Sequence, residues 1–236
     1  MNKILPILLF GLYAMPAFAG LNFDPVQMYL KENSRQRSTT VTIISTEDPK
    51  ERIFEMSAVQ WTQNEQGEDV HVPDDNILIN PKNVVIKPNS KQIVRVGFTQ
   101  PLISDELKIE KTWRIIFKEV TPVVEETGVT FLFNVSIPFF VGKQEKADLA
   151  IQAKQSNKNL ILNVRNNANS HIQITKLEIL DANKKEIAIK SEMKYLLKGQ
   201  NHDFDIGSVN LGDLSQYKLM IFTDKSDLPL EMKIKG

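Results

Sequence analysis

From Val129 to Val141 every odd-numbered position is apolar: Val129, Phe131, Phe133, Val135, Ile137, Phe139 and Val141. The even positions between them are Thr130, Leu132, Asn134, Ser136, Pro138 and Phe140. A period of two places one set on one face of a β-strand and the other set on the opposite face. Shorter runs rich in Val, Ile, Thr and Phe precede it at 38–46, 51–61, 82–88, 91–99 and 111–120. Turn residues separate them, among them Asp48-Pro49, Asn64 to Gly67, Pro73 to Asn76 and Pro88-Asn89. After Gly142-Lys143-Gln144-Glu145-Lys146 the pattern begins again, with strands predicted at 147–155, 159–167, 171–181, 185–190, 202–207, 217–224 and 230–236. Helical periodicity is nearly absent. Two batches of about seven short strands predict an all-β chain of two sandwiches. The boundary falls near 143–147, giving domains over 20–142 and 147–236.

The first residues read differently. "MNKILPILLFGLYAMPAFA" has one early cation, Lys3, an apolar stretch from Ile4 to about Met15, and the small-residue signal Ala17-Phe18-Ala19. That is the pattern of a secretory signal peptide over 1–19, cleaved after Ala19. The run is too short, and too broken by Pro6 and Pro16, for a membrane-spanning helix. An exported protein that is not membrane-embedded is expected.

Composition narrows the chemistry. Lys+Arg and Asp+Glu are both 29, so no bulk charge favours nucleic acid or an anionic membrane. The chain has no Cys, which excludes thiol catalysis and thiolate metal sites; each domain must be held by core burial. His71, His171 and His202 lack ligand-like spacing, and His71 reads as part of a solvated loop. No G-x-S-x-G elbow, P-loop or G-x-G-x-x-G is present. An enzyme has no residue to stand on, and no cofactor or metal is expected.

The stripe at 129–141 remains the most informative feature. A core strand accounts for one apolar face, but strands average 5–6 residues. Thirteen residues at about 3.3 Å each reach roughly 43 Å, more than one small sandwich needs. Part of the stripe should therefore lie beyond its own core. An exposed apolar edge invites aggregation, so a partner is expected to cover it.

"LNFDPVQMYL", the strand end at Trp61, "ILINPKNVVIKPNSKQIVRVGF", "TWRIIFKEVTP" and "VTFLFNVSIPFFV" together resemble the PapD-like periplasmic pilus-assembly chaperones. The resemblance covers nearly the whole mature chain and is most specific over 77–141. The second half matches mainly in pattern, through "LILNVRNNANSHIQITKLEIL" and "YLLKGQ". It implies two immunoglobulin-like β-sandwich domains in an L-shaped arrangement. It also implies pilus or fimbrial subunits lacking their final strand as partners, donor-strand complementation, and delivery to an outer-membrane usher from the periplasm. Val129, Phe131, Phe133 and Val135 are then the donor residues, with Ile137, Phe139 and Val141 nearer the domain junction.

The best-known branch anchors the subunit's terminal carboxylate with an Arg and a Lys, whose positions fall near Gln27 and Pro138 here. Neither is cationic. "TWRIIFKEV" and "SIPFFV" look more like the archaic branch of the chaperone–usher family. Arg114, expected to face roughly Val135, becomes the first candidate for the carboxylate anchor; Arg95 is the second, with a structural ion pair at least as good an explanation for it. Two other readings compete: a tandem-sandwich fibre subunit or adhesin, and a carbohydrate-binding sandwich, which would need Trp61 or Trp113 exposed. A subunit would carry its alternating segment near its N-terminus, whereas here it is internal. Self-association of the free protein is left open.

Overall fold

Burial follows the period of two. In the computed structural model, which describes residues 20–32, 36–46, 50–102, 107–120, 131–156, 159–209 and 211–234, Phe54, Met56 and Ala58 are buried while Glu55 and Ser57 between them are exposed. The same alternation builds ten strands in the first half: β1 (Leu21–Asp24), β2 (Met28–Leu30), β3 (Ser38–Ser45), β4 (Arg52–Gln63), β5 (Asp69–Pro73), β6 (Ile77–Asn80), β7 (Asn83–Ile86), β8 (Lys91–Phe98), β9 (Lys111–Val120) and β10 (Asn134–Val141). One sheet has the order β1-β3-β8-β6; the other has the order β2-β10-β9-β4-β5, with β7 also on β4. Between them lies a core that includes Phe54, Met56, Val94, Val96, Trp113, Ile115, Phe117, Ile137 and Phe139.

The second half contains β11 (Leu149–Ser156), β12 (Asn159–Asn166), β13 (Ile172–Leu180), β14 (Glu186–Leu196), β15 (Asn201–Ser208), β16 (Lys218–Thr223) and β17 (Ser226–Lys233). A sheet β11-β12-β15 faces a sheet β14-β13-β16-β17 across a second core around Leu162, Ile174, Leu177, Phe204 and Ile221. Among the described residues no sheet mixes strands from before and after Gly142. The all-β expectation of two sandwiches is met. No helix of the described residues is long and apolar enough to cross a membrane.

The chain passes from one sandwich to the other at Gly142. Its φ of +122° and its closeness to the Leu107 carbonyl, 2.8 Å from where a Cβ would stand, leave room only for glycine. A third apolar cluster lies where the halves meet: Trp61, Phe140 and Leu197, with Tyr29 and Tyr195 packed against it. His171 of the second half stacks on Phe140 of the first, with ring centroids 3.4 Å apart and planes within 8°. Both nitrogens of that buried ring meet carboxylates. Nδ1 is 2.9 Å from Glu110 of the first half, and Nε2 is 3.1 Å from Asp224 of the second. The His171 main-chain N–H also donates to Glu110, at 2.8 Å. Gln144, from the connecting segment, donates to Glu110 and accepts from Lys225. Buried charges need such partners, because an unpaired one forfeits its hydration without return.

Burial disfavours the Asp224 carboxylate, but His171, the Gln173 N–H and Lys225 together hold its carboxyl below the usual range. A lowered folded value stabilises fully above the unfolded value of about 3.9 and loses that contribution as pH falls through the folded one. The contribution of Asp224 to the contacts between the halves should therefore be intact at pH 5 and above and be lost below about pH 4. Small-angle scattering alongside far-ultraviolet circular dichroism checks this: the radius should grow before the strand signal is lost.

Candidate functional site

β10 is paired unequally along its two edges. On one side it meets β9 over its whole length, from Asn134 opposite Lys118 to Val141 opposite Lys111. On the other it meets β2 only at Phe139, Phe140 and Val141. The Glu119 N–H donates to the Phe133 carbonyl and the Gly142 N–H donates to the Leu30 carbonyl. Odd residues of β10 therefore direct their backbone groups to β9 and even residues direct theirs to the other edge. Pro138 stands on that second edge where β2 has just begun, and it has no N–H to offer. Among the described residues, the backbone of Asn134 and Ser136 on this edge has no strand partner.

The side-chain alternation continues past the core. Ile137, Phe139 and Val141 are buried in the first sandwich, and Val135 is half-buried against it. Beyond them the apolar side chains emerge: Phe131 is 85% exposed, Leu132 49% and Phe133 42%. Of the four residues expected to act as donors, Phe131 and Phe133 are thus free of the core, Val135 belongs partly to it, and Val129 lies outside the described residues.

Glu119 and Arg52 mark the point where the strand leaves the core. Glu119 faces inward at the end of β9 and pairs with Arg52 at 2.8 Å, both largely shielded from solvent. Its carboxylate accepts the Phe133 N–H at 2.8 Å, and the Arg52 guanidinium lies 4.7 Å from the centroid of the Phe133 ring. The first residue beyond the regular ladder is therefore held by a carboxylate on its backbone and a cation on its ring.

Arg114 pairs across with Pro138, not with Val135. The register lies three residues nearer the junction because the segment joining β9 to β10 is longer than the 121–128 loop read from sequence. Arg114 projects from the outer face of its sheet toward the second half. Its guanidinium lies 3.9 Å from the Trp61 ring centroid and 5.8 Å from that of Tyr195. Burial lowers its pKa from the usual guanidinium value, and the distant charge of Asp69 only partly offsets this. Its buried Nε has no hydrogen-bond partner, and neither has the buried Trp61 Nε1. Arg95 is elsewhere: it is exposed on β8 between buried Val94 and Val96, in the opposite sheet. The structure does not bring the two arginines together.

Gln27, where the best-known branch has its Arg, sits beside the cleft as a neutral bridge. Its Nε2 donates to the Tyr195 hydroxyl at 2.7 Å and its Oε1 accepts from the Tyr29 hydroxyl at 2.8 Å. Trp113 is in the first core and donates to Asp74 at 2.8 Å. Trp61 is equally buried but belongs to the cluster between the halves. Neither offers the exposed indole that a carbohydrate platform requires. His71, read as a loop residue, is exposed on edge strand β5 opposite Trp61. Sequence reasoning passed over Tyr195 and His171, because nothing local in "KYLL" or "SHIQ" says that each faces another domain.

No family model matches the sequence, and no curated protein matches it. Solved structures do match in fold. The CsuC–CsuE chaperone–tip adhesion subunit pre-assembly complex, from the archaic chaperone-usher Csu pili of Acinetobacter baumannii, contains a chain 17% identical, with a TM-score of 0.64 over 92% of this chain and 98% of that one. The YadV chaperone is 13% identical, with a TM-score of 0.63 over 91% of this chain and all of its own. The complex of the SafA pilin with the SafB chaperone of Salmonella enterica contains a chain 12% identical, with a TM-score of 0.61 over 93% and 98% of the two chains. At these identities the likeness is one of fold: this chain has the two-sandwich architecture of pilus chaperones.

Arg52→Met should leave the Glu119 carboxylate shielded and without its cation. Removing one partner of a buried pair costs about 3–5 kcal/mol, and the partial exposure of Arg52 places the expected loss near the lower end. Urea denaturation measures it, and a loss below about 1 kcal/mol would mark the pair as a solvent-screened surface contact.

Proposed function

We propose that the protein is a periplasmic chaperone that lends the 129–135 segment to pilus or fimbrial subunits lacking their final strand, and hands them to an outer-membrane usher. The observation that carries this reading is the unequal pairing of β10: a strand continuous with the core, with no strand partner among the described residues along one edge over Asn134 and Ser136, and with Phe131 and Phe133 exposed beyond it. A chain that adds a strand to a partner's sheet gives main-chain hydrogen bonds along the open edge and alternate side chains to the partner's pockets. The likeness in fold to chaperones crystallised with a tip adhesion subunit or a pilin supports the same reading.

Burying two phenylalanine side chains contributes about 3–6 kcal/mol in apolar transfer, reduced by the cost of ordering the segment and immobilising the partner. Arg114 supplies the polar half of the site. It is a desolvated cation in the cleft, one residue row from the cluster that joins the halves, and among the described residues it has no ion pair. A terminal carboxylate of the subunit is the group that matches its planar donors. No bound nucleotide or metal enters this scheme; binding is driven by strand addition and charge pairing.

The double variant Phe131→Asp/Phe133→Asp should fold normally, since neither side chain is in the core, and should fail to recover subunit on co-purification from the periplasm. Charges driven into apolar pockets make that burial strongly unfavourable. Undiminished recovery with a well-folded double variant would refute the donor assignment. Separately, Arg114→Ala should weaken complex formation by about tenfold or more, while the melting temperature changes little. A lowered melting temperature with unchanged binding would make Arg114 a structural residue instead.

A further inference from the structure

We infer that the carboxylate seat is built by both domains: Tyr195 of the second half and Trp61 of the first hold the Arg114 guanidinium so that its donor edge faces the cleft. This rests on the reading of Arg114 as the anchor and adds the residues that position it. A guanidinium flanked by aromatic rings is held through its faces, which leaves its in-plane N–H groups for a carboxylate. Trp61 makes the close contact, at 3.9 Å; Tyr195, at 5.8 Å, stands farther off on the same side and braces the Trp61 ring. The two rings also meet each other edge to face, with centroids 5.3 Å apart.

Tyr195 is itself fastened to the first half at both ends. Its hydroxyl accepts from Gln27 at 2.7 Å, and its main-chain carbonyl accepts from Gln63 Nε2 at 2.9 Å. Gln63 Oε1 in turn accepts the Leu197 N–H at 2.9 Å. The ring cannot drift from Arg114 without breaking contacts between the halves. Aromatic faces thus take the place of the counter-ion that Arg114 lacks among the described residues. They offset part of its desolvation without occupying its hydrogen-bonding edge, and the unpartnered Arg114 Nε and Trp61 Nε1 are donors left over at the same place. The second half thereby takes part in anchoring, although the donor strand lies wholly in the first. Tyr195 is a positioning residue, acting through Arg114.

The test uses the full mature chain and a peptide copying the last twelve residues of whichever subunit co-purifies with it, made both as the free acid and as the C-terminal amide. Affinities are measured for wild type, Arg114→Gln, Tyr195→Ala, Tyr195→Phe and the Arg114→Gln/Tyr195→Ala double variant, each checked for folding by circular dichroism. Tyr195→Ala should weaken the acid by about threefold to thirtyfold, leave the amide unchanged, and add nothing in the Arg114→Gln background. Tyr195→Phe keeps the ring and its main-chain tie to Gln63 and should stay within about threefold of wild type on the acid; a larger loss would assign the effect to the hydroxyl and overturn the role of the ring. An Arg114→Gln effect on the acid with no Tyr195→Ala effect would overturn the inference while sparing the anchor. So would a Tyr195→Ala effect that is equal on acid and amide or persists in the double variant. Equal acid and amide affinities in wild type would overturn the anchor reading itself, and the inference with it.

Discussion

A strand has one alternation and cannot change face without a bulge, and β10 is bound by that constraint. From Ile137 to Val141 its odd residues complete the core of the first sandwich. The same face continues outward through Val135 and Phe133 to Phe131, where the core has ended. Among the described residues neither ring belongs to the core. The open edge follows from a second local fact. β2 runs parallel to β10 for three residues and begins at Met28, so among the described residues no strand stands beside the even-numbered backbone groups before Pro138. The inward pair of Glu119 and Arg52 stands at this exit and holds Phe133 by its backbone and its ring.

The contacts between the halves give this edge its surroundings. Phe140 points out of the first core, on the even face of β10, and is covered by His171, Tyr195 and Tyr29. One strand thus supplies the core with its odd residues and the domain junction with an even one. Glu110 and Asp224 bracket His171 from opposite halves, which ties the position of β13 to the start of β9. Burial lowers the pKa of Lys225 beside them, as expected of a cation taken out of water, although Asp224 and Glu110 act in the opposite sense. With the halves fixed in this way, Tyr195 reaches Arg114 and Gln27 reaches Tyr195.

Much of this was legible in sequence wherever a single strand carries the signal. The alternation at 129–141, the restart after Gly142 and the paucity of helix are local patterns, and they led to two sandwiches and to a stripe outlasting its core. The length of the regular strand was not legible: the ladder begins at Asn134, because Glu119 takes the Phe133 N–H with its side chain. The register of Arg114 was misplaced by three residues, since an alternation fixes faces but not the length of the segment between two strands. Short strands such as β2 and β5 were hard to read, having too few residues to show a period. Tyr195 and His171 could not be found at all, because their roles come from packing between residues more than 30 positions apart in the chain. Trp61 is buried where the two halves meet and not in the core of its own sandwich, a distinction that hydropathy does not make.

On the proposed function, a subunit strand forms along the β10 edge at Leu132, Asn134 and Ser136. Amide hydrogen exchange at Leu132, Asn134 and Ser136, followed by NMR in the free chain and in its complex with a co-purified subunit, tests it most directly. Their N–H groups lie on the edge that has no strand partner among the described residues. Subunit binding should slow their exchange by about a hundredfold or more, whereas Val135 and Ile137, already bonded to β9, should change far less. Unchanged exchange at Leu132, Asn134 and Ser136 in a stable complex would contradict strand addition at this edge.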